Sequence, residues 1–193
     1  MKIIGVGCGP GLLTAQAIKE LKRARFAYGS ERAIALARPF LPQNCSVKSI
    51  DDYKKLHTLS EDAVLLSTGD PMLAGLGYLK GEVIPGVSSL QVAAARLHIP
   101  LSRVSVVVAH GGGHEKGMQD TLDETNRGKI VFLLADPKFD VQELYRRLKT
   151  VPGPLQVALC ENLAYPGERI AVGNIASPPM PGSALYSLVI GNF

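Results

Sequence analysis

Short β-prone runs alternate with helical stretches in the first half of the chain, and this alternation limits the fold more than any other feature. Apolar runs at Ile3–Gly7, Phe26–Tyr28, Ala63–Ser67 and Glu82–Pro85 have the length of single strands. Helical spacing follows the first, second and fourth runs, and a glycine-rich turn follows the third. Such alternation is typical of a mostly parallel sheet with helices on its faces. We therefore expect an α/β fold, with Ser30 capping the second helix.

The second half of the chain is richer in strands, and its pattern predicts a mixed sheet. An amphipathic helix is expected at Phe139–Lys149. Further strands are predicted at Val104–Ala109, Lys129–Asp136, Leu155–Asn162, Glu168–Ile175 and Ala184–Ile190. Glycines in the segment HGGGHEKG (110–117) predict a hinge. We expect an amino-terminal α/β lobe over residues 1–110 and a carboxy-terminal lobe over 111–193.

Composition and charge exclude several classes of protein. The net charge of +4 favours anionic ligands, but Lys and Arg are scattered without the aromatic residues of a nucleic-acid module. No apolar run approaches the roughly 18 residues of a membrane helix, and no leader precedes the first strand, so we expect a cytoplasmic protein. The cysteines, Cys8, Cys45 and Cys160, are far apart and predict buried reduced thiols rather than disulfides.

Known nucleotide and metal motifs do not fit the glycine-rich segments. Counted from Gly5, the dinucleotide fingerprint places Pro10 at its last glycine position, and no phosphate-binding GxxxxGK[ST] motif is present. His110 and His114 flank three glycines, but no third ligand stands at a recognisable spacing. We therefore predict no metal site.

Two segments carry the strongest indication of ligand binding. STGDPMLAG (67–75) and IPGVSSLQVAAARL (84–97) both follow a predicted strand, and open α/β sheets bind ligands at the carboxyl ends of their strands. Asp70 stands in the first segment, followed by Pro71 at the first position of a helix. Helix capping and ligand contact both remain open for this carboxylate.

These segments together carry a resemblance to a known family. GVGCGPG at the amino terminus, TGDP after a strand, VIPGVSSLQVAAARL and ENLAYPGERI resemble the tetrapyrrole methylases in order and spacing over nearly the whole chain. SSLQVAAARL and ENLAYPGERI are similar to the members that methylate carbon 5 of a precorrin during cobalamin biosynthesis. The stretch 78–83 is shorter than is usual in such enzymes, which predicts an abbreviated wall of the substrate cleft.

The resemblance implies two lobes with S-adenosylmethionine bound in the cleft between them. Matched positions imply donor contacts in the first half from Cys8, Asp70, Leu73, Ser88 and Ser89. In the second half the matched positions are Leu133, Leu163 and Leu185, for which plain core packing is the alternative. No catalytic side chain is assigned, because the activated donor needs orientation rather than a covalent nucleophile.

The resemblance also implies partners. They are a corrinoid precursor as substrate, a second copy of the chain in a homodimer, and a separate enzyme for methylation and decarboxylation at carbon 15. Three alternatives remain at this point: methylation of another tetrapyrrole or of a protein side chain within the same fold, a Rossmann-type methyltransferase, and a ligand-binding module without activity.

Overall fold

The computed structural model describes residues 1–110 and 112–193, which divide into the units Met1–Ser89 and Leu90–Phe193. The strands of the first unit are β1 (Lys2–Gly5), β2 (Phe26–Gly29), β3 (Ser46–Ser49), β4 (Ala63–Ser67) and β5 (Glu82–Ile84). Its helices are α1 (Ala15–Leu21), α2 (Glu31–Ala37) and α3 (Pro71–Ala74), with 3₁₀ turns at Arg38–Phe40 and Tyr53–Thr58.

All strands of the first sheet run parallel, in the order β3-β2-β4-β1-β5. β1 and β4 lie at its centre, where Ile3 and Leu65 stand opposite each other and are completely buried. Continuous apolar strands suit this position because both faces of a parallel sheet are covered. The expected parallel amino-terminal sheet is confirmed, and it brings the carboxyl ends of all its strands to one edge.

Side-chain caps fix where two of these helices begin. The Thr14 hydroxyl accepts a hydrogen bond from Ala17 N at 3.1 Å, and the Ser30 hydroxyl accepts one from Ala33 N at 3.3 Å. Each cap satisfies an amide that the first helical turn leaves unpaired, an effect of about 1 kcal/mol. The predicted cap at Ser30 is confirmed, and α2 therefore starts at the carboxyl end of β2.

The second unit contains a mixed sheet in the order β6-β7-β10-β8-β9. Its strands are β6 (Val104–Ala109), β7 (Ile130–Ala135), β8 (Gln156–Glu161), β9 (Arg169–Asn174) and β10 (Tyr186–Gly191). Its helices are α4 (Ser89–Leu97), α5 (His114–Asn126) and α6 (Val141–Leu148), with a 3₁₀ turn at Leu101–Arg103. β6 and β7 are parallel and the other pairs are antiparallel, so the expected mixed sheet is confirmed.

Alternate residues of the second sheet form its main core. Leu133, Leu159 and Leu188 lie side by side on neighbouring strands and are fully buried. They pack in one cluster with the apolar face of α6, including Leu144 and Leu148. Because strand side chains alternate between faces, this cluster fixes the register of β7, β10 and β8.

The division between the units falls before the boundary expected near residue 110. β6 pairs in parallel with β7 along its whole length, and this pairing assigns Val104–Ala109 to the second unit. The predicted hinge in HGGGHEKG includes Gly111, which lies outside the described residues. In the part of the chain that the structure describes, no helix has the length and apolar character needed to cross a membrane.

Candidate functional site

Loops that follow β1, β4 and β5 are joined by backbone hydrogen bonds at the carboxyl edge of the first sheet. Gly69 N donates to Gly7 O at 2.8 Å, and Cys8 N donates to Val87 O at 2.9 Å. The glycine-rich loop after β1 is thereby held against the segments that follow the other two strands. This edge is where open parallel sheets bind ligands.

Glycines allow these loops to approach more closely than other residues would permit. A β-carbon at Gly5 would lie 2.5 Å from Gly86 N, and one at Gly86 would collide with the carbonyl oxygen of Gly69. Gly69 itself has a φ of 70°, a conformation that glycine adopts without strain. The loops can therefore pack this closely only because Gly5 and Gly86 have no side chains.

Asp70 connects the loop after β4 to the loop after β5. Its Oδ1 accepts a hydrogen bond from Met72 N at 2.8 Å, which caps α3. Its Oδ2 accepts another from Gly86 N at 3.1 Å. The capping role that the sequence left open is confirmed. The carboxylate also performs a second task, joining two loops, that the sequence did not indicate.

The other predicted donor contacts in the first unit lie on the same loops. Cys8 is partly exposed after β1, Leu73 is partly exposed on α3, and Ser88 is buried after β5. Ser89 is the first residue of α4. The sheet topology thus gathers Cys8, Asp70, Leu73 and the two serines at one edge, because each follows one of the neighbouring strands β1, β4 and β5.

In the second unit, the predicted leucines differ in environment. Leu133 is completely buried, and its side chain packs in the core beside α6. Leu163 lies between Asn162 and Ala164, whose φ angles of 49° and 65° form a tight turn. Asn162 N donates to Leu185 O at 3.0 Å, so the turn and the partly exposed Leu185 are adjacent.

Glu161 holds this turn in place. Its Oε1 accepts hydrogen bonds from Gly182 N at 2.6 Å and Ser183 N at 2.7 Å, and its Oε2 accepts one from Arg169 Nε at 2.5 Å. Burial opposes ionisation, but these donors outweigh it and lower the pKa of Glu161. The motif that begins at Glu161 is therefore anchored by a buried, fully bonded carboxylate.

A cavity of about 410 Å³ lies beside the same segment. Its walls include Phe139 and Tyr186 together with residues 180–184. This volume falls within the usual range for small-molecule sites. Sequence patterns gave no indication of the cavity, since its walls come from distant parts of the chain.

The two histidines of the glycine-rich segment do not form a metal centre. His114 Nε2 lies 2.9 Å from Asp136 Oδ2, and its ring packs edge-on against Phe139. Across residues 1–110 and 112–193, no three His, Cys, Asp or Glu side chains are arranged to hold a metal ion. The imidazole thus joins the start of α5 to the end of β7.

Comparison with known proteins places the fold and these motifs in one family. The family model for tetrapyrrole (corrin/porphyrin) methylases matches residues 2–179. The chain therefore belongs to the tetrapyrrole methylases and is a methyltransferase. The resemblance noted in the sequence is confirmed, and the Rossmann-type alternative is excluded.

Two individual relatives indicate which members of the family are similar to this chain. The chain is 29% identical over 188 residues to the probable cobalt-precorrin-7 C(5)-methyltransferase of Methanocaldococcus jannaschii, with 88% of each chain covered. It is 30% identical in sequence to the precorrin-6Y methylase of Archaeoglobus fulgidus, whose crystal structure is known. The two structures match with a TM-score of 0.76, and the match covers 99% of this chain and 96% of that one.

A more distant structure shares the fold alone. The uroporphyrin-III C-methyltransferase of Thermus thermophilus, solved with S-adenosylhomocysteine, is 22% identical with a TM-score of 0.69. The match covers 98% of this chain and 96% of that one.

Proposed function

We propose that this chain transfers a methyl group from S-adenosylmethionine to carbon 5 of cobalt-precorrin-7 or its metal-free counterpart in cobalamin biosynthesis. The similarity to the archaeal C(5)-methyltransferase, which extends over most of both chains, carries the proposal. The archaeal precorrin-6Y methylase supports it with a similar fold and identity.

The loops of the first unit suit the donor. Close contacts of Gly5 and Gly86 with neighbouring backbone hold these loops together at the edge where parallel sheets bind ligands. We assign donor contacts to Cys8, Asp70, Leu73, Ser88 and Ser89, and Asp70 in addition holds its two loops in position. Leu133, Leu163 and Leu185 complete the proposed set.

Bound S-adenosylmethionine supplies a methyl group that is already activated by the positive sulfur. The protein must therefore hold the accepting carbon in line with that methyl group, and orientation of this kind can lower a barrier by roughly 7–11 kcal/mol. The loops suit this task because backbone hydrogen bonds and close packing at glycines already hold them together, so that little rearrangement is needed when the ligands bind. We assign no covalent nucleophile and no proton acceptor.

The proposed partners follow from the same function. A precorrin carries acetate and propionate side chains, which the net charge of +4 favours electrostatically. We further propose a cytoplasmic homodimer that works with a separate enzyme for carbon 15.

Titration calorimetry with S-adenosylhomocysteine tests the donor part of the proposal, with a nicotinamide dinucleotide as the control ligand. We expect a dissociation constant in the micromolar range or below for the first and no binding of the second. Absence of binding to S-adenosylhomocysteine would overturn the proposed function.

A further inference from the structure

Arg32 places a guanidinium group at the carboxyl edge of the first sheet. It lies in the first turn of α2, directly after β2, and its Nη2 donates a hydrogen bond to Thr68 Oγ1 at 3.2 Å. Thr68 immediately precedes Gly69 and Asp70, which belong to the proposed donor loops. The hydrogen bond thus ties a positive charge to the start of the candidate site.

Arg32 has no carboxylate partner in the described residues, although most other arginines do. Ion pairs join Glu residues or Asp62 to six arginines, namely Arg25, Arg96, Arg127, Arg146, Arg147 and Arg169. A guanidinium has five N–H donors, and Thr68 accepts from only one nitrogen. Arg32 can therefore offer a planar pair of donors to a carboxylate from outside the chain.

Helix stability does not account for a cation at this position. The amino terminus of a helix carries partial positive charge, so Arg32 is electrostatically unfavourable there. An anion bound to its guanidinium would relieve that repulsion.

Two exposed apolar side chains follow Asp70 in the chain. Met72, whose backbone amide donates to Asp70, is 68% exposed, and Tyr78 is 69% exposed. Gly77 lies against the Met72 sulfur, so the two side chains belong to one short segment. Exposed apolar groups that follow Asp70, together with an arginine bonded to Thr68 just before it, match a ligand with an apolar ring and carboxylates at its rim.

We propose that Arg32 determines substrate recognition by binding an acetate or propionate carboxylate of the tetrapyrrole, with Met72 and Tyr78 contacting the ring. This inference rests on the proposed function. It assigns the carboxylate to the tetrapyrrole and not to the methionine part of the donor.

The test compares Arg32→Gln with Arg23→Gln in the full chain. Arg23 is also exposed and also forms no ion pair in the described residues, but it precedes β2 and so lies toward the opposite edge of the sheet. Turnover of enzymatically prepared cobalt-precorrin-7 gives KM and kcat, and calorimetry gives the affinity for S-adenosylhomocysteine. Arg32→Gln should raise KM about tenfold or more, because a charge-assisted hydrogen bond to the substrate carboxylate is lost. Arg32→Lys should recover part of this loss, because it keeps the charge without the planar fork.

Donor affinity and the KM of Arg23→Gln should remain at wild-type values. An unchanged KM in Arg32→Gln would overturn the inference, and so would a loss of donor affinity, which would assign Arg32 to the donor carboxylate. Wild-type protein that binds S-adenosylhomocysteine but does not methylate cobalt-precorrin-7 would overturn the proposed function, and this inference with it.

Discussion

The Asp70 carboxylate joins Gly86 to the start of α3 by accepting a hydrogen bond from Gly86 N at 3.1 Å and another from Met72 N at 2.8 Å. Both carboxylate oxygens are thus engaged by backbone amides of the protein. Asp70 therefore fixes the geometry of two loops at once, in addition to the donor contact proposed for it.

Replacing Asp70 by alanine should weaken donor binding more than it lowers stability. Loss of the cap and of the Gly86 bond should reduce the free energy of unfolding by about 1–2 kcal/mol. The affinity for S-adenosylhomocysteine should fall by tenfold or more, because the two loops are no longer held together. Urea unfolding and calorimetry measure the two effects.

Asp52→Ala is the matched control for this change. The Asp52 carboxylate also accepts a backbone hydrogen bond, from Lys54 N at 2.9 Å, but within its own segment. The control should lose stability and keep its donor affinity. Equal donor affinity in Asp70→Ala and wild type would show that the two loops do not contribute to the donor site.

An added methyl group at Gly86 should disrupt the same edge. In Gly86→Ala, the new β-carbon would collide with Gly69 O and lie within 2.9 Å of the Gly5 α-carbon. We expect a loss of stability of about 1–3 kcal/mol, as in other overpacked sites, and loss of donor binding.

Gly167→Ala is the matched control, since its β-carbon would meet only Asn162 Nδ2, at 3.8 Å. Thermal unfolding and calorimetry compare the two variants. Near-normal stability and donor binding in Gly86→Ala would contradict the close packing of these loops.

The contribution of Glu161 to stability should depend on pH. Because its pKa is lowered in the folded protein, ionised Glu161 stabilises the fold at neutral pH, and this stabilisation is lost as pH falls below the ordinary value of about 4.3. Glu161→Gln should therefore be less stable than wild type by about 1–3 kcal/mol at pH 7. The difference should shrink as the pH falls below about 4.

Urea titrations at several pH values measure this dependence. Glu82→Gln is the control, because Glu82 makes only an exposed ion pair with Lys2 at 3.6 Å. A pH-independent difference for Glu161→Gln would show that its charge does not hold residues 182 and 183.

The sequence predicted most strands and the placement of the first-unit loops, since these depend on apolar runs and on strand-to-helix order. It did not predict β3, whose four residues include a single apolar side chain, Val47. It did not predict α5 either. That helix contains Gly117 and several polar residues, and its buried face includes Thr121 and Thr125 rather than an apolar stripe.

The sequence also could not predict the roles of site residues that depend on tertiary contacts. The Asp70 bond to Gly86 spans sixteen residues, and the Arg32 bond to Thr68 spans thirty-six. A cation in the first turn of a helix was the one local signal for Arg32. Leu133 was matched correctly to a strand, but its orientation toward the core became evident only from the packing of α6.

The three cysteines should differ in reactivity toward iodoacetamide at pH 8. Burial raises the pKa of Cys160 to about 12, so its thiol should remain unlabelled until the protein is denatured. Cys8 and Cys45 are partly exposed.

S-adenosylhomocysteine should slow labelling of Cys8, which lies on a proposed donor loop, and leave Cys45 unaffected. Mass spectrometry identifies the labelled sites, and equal rates at Cys8 with and without ligand would remove it from the donor site.

The most direct test of the proposed function is the position of the transferred methyl group. The chain is incubated with cobalt-precorrin-7 and S-adenosylmethionine carrying a ¹³C-labelled methyl group, and the product is examined by NMR. We predict that the label appears on carbon 5 of the macrocycle, with S-adenosylhomocysteine formed in equal amount. A label on another carbon, or no transfer by protein that binds S-adenosylhomocysteine, would contradict the assignment.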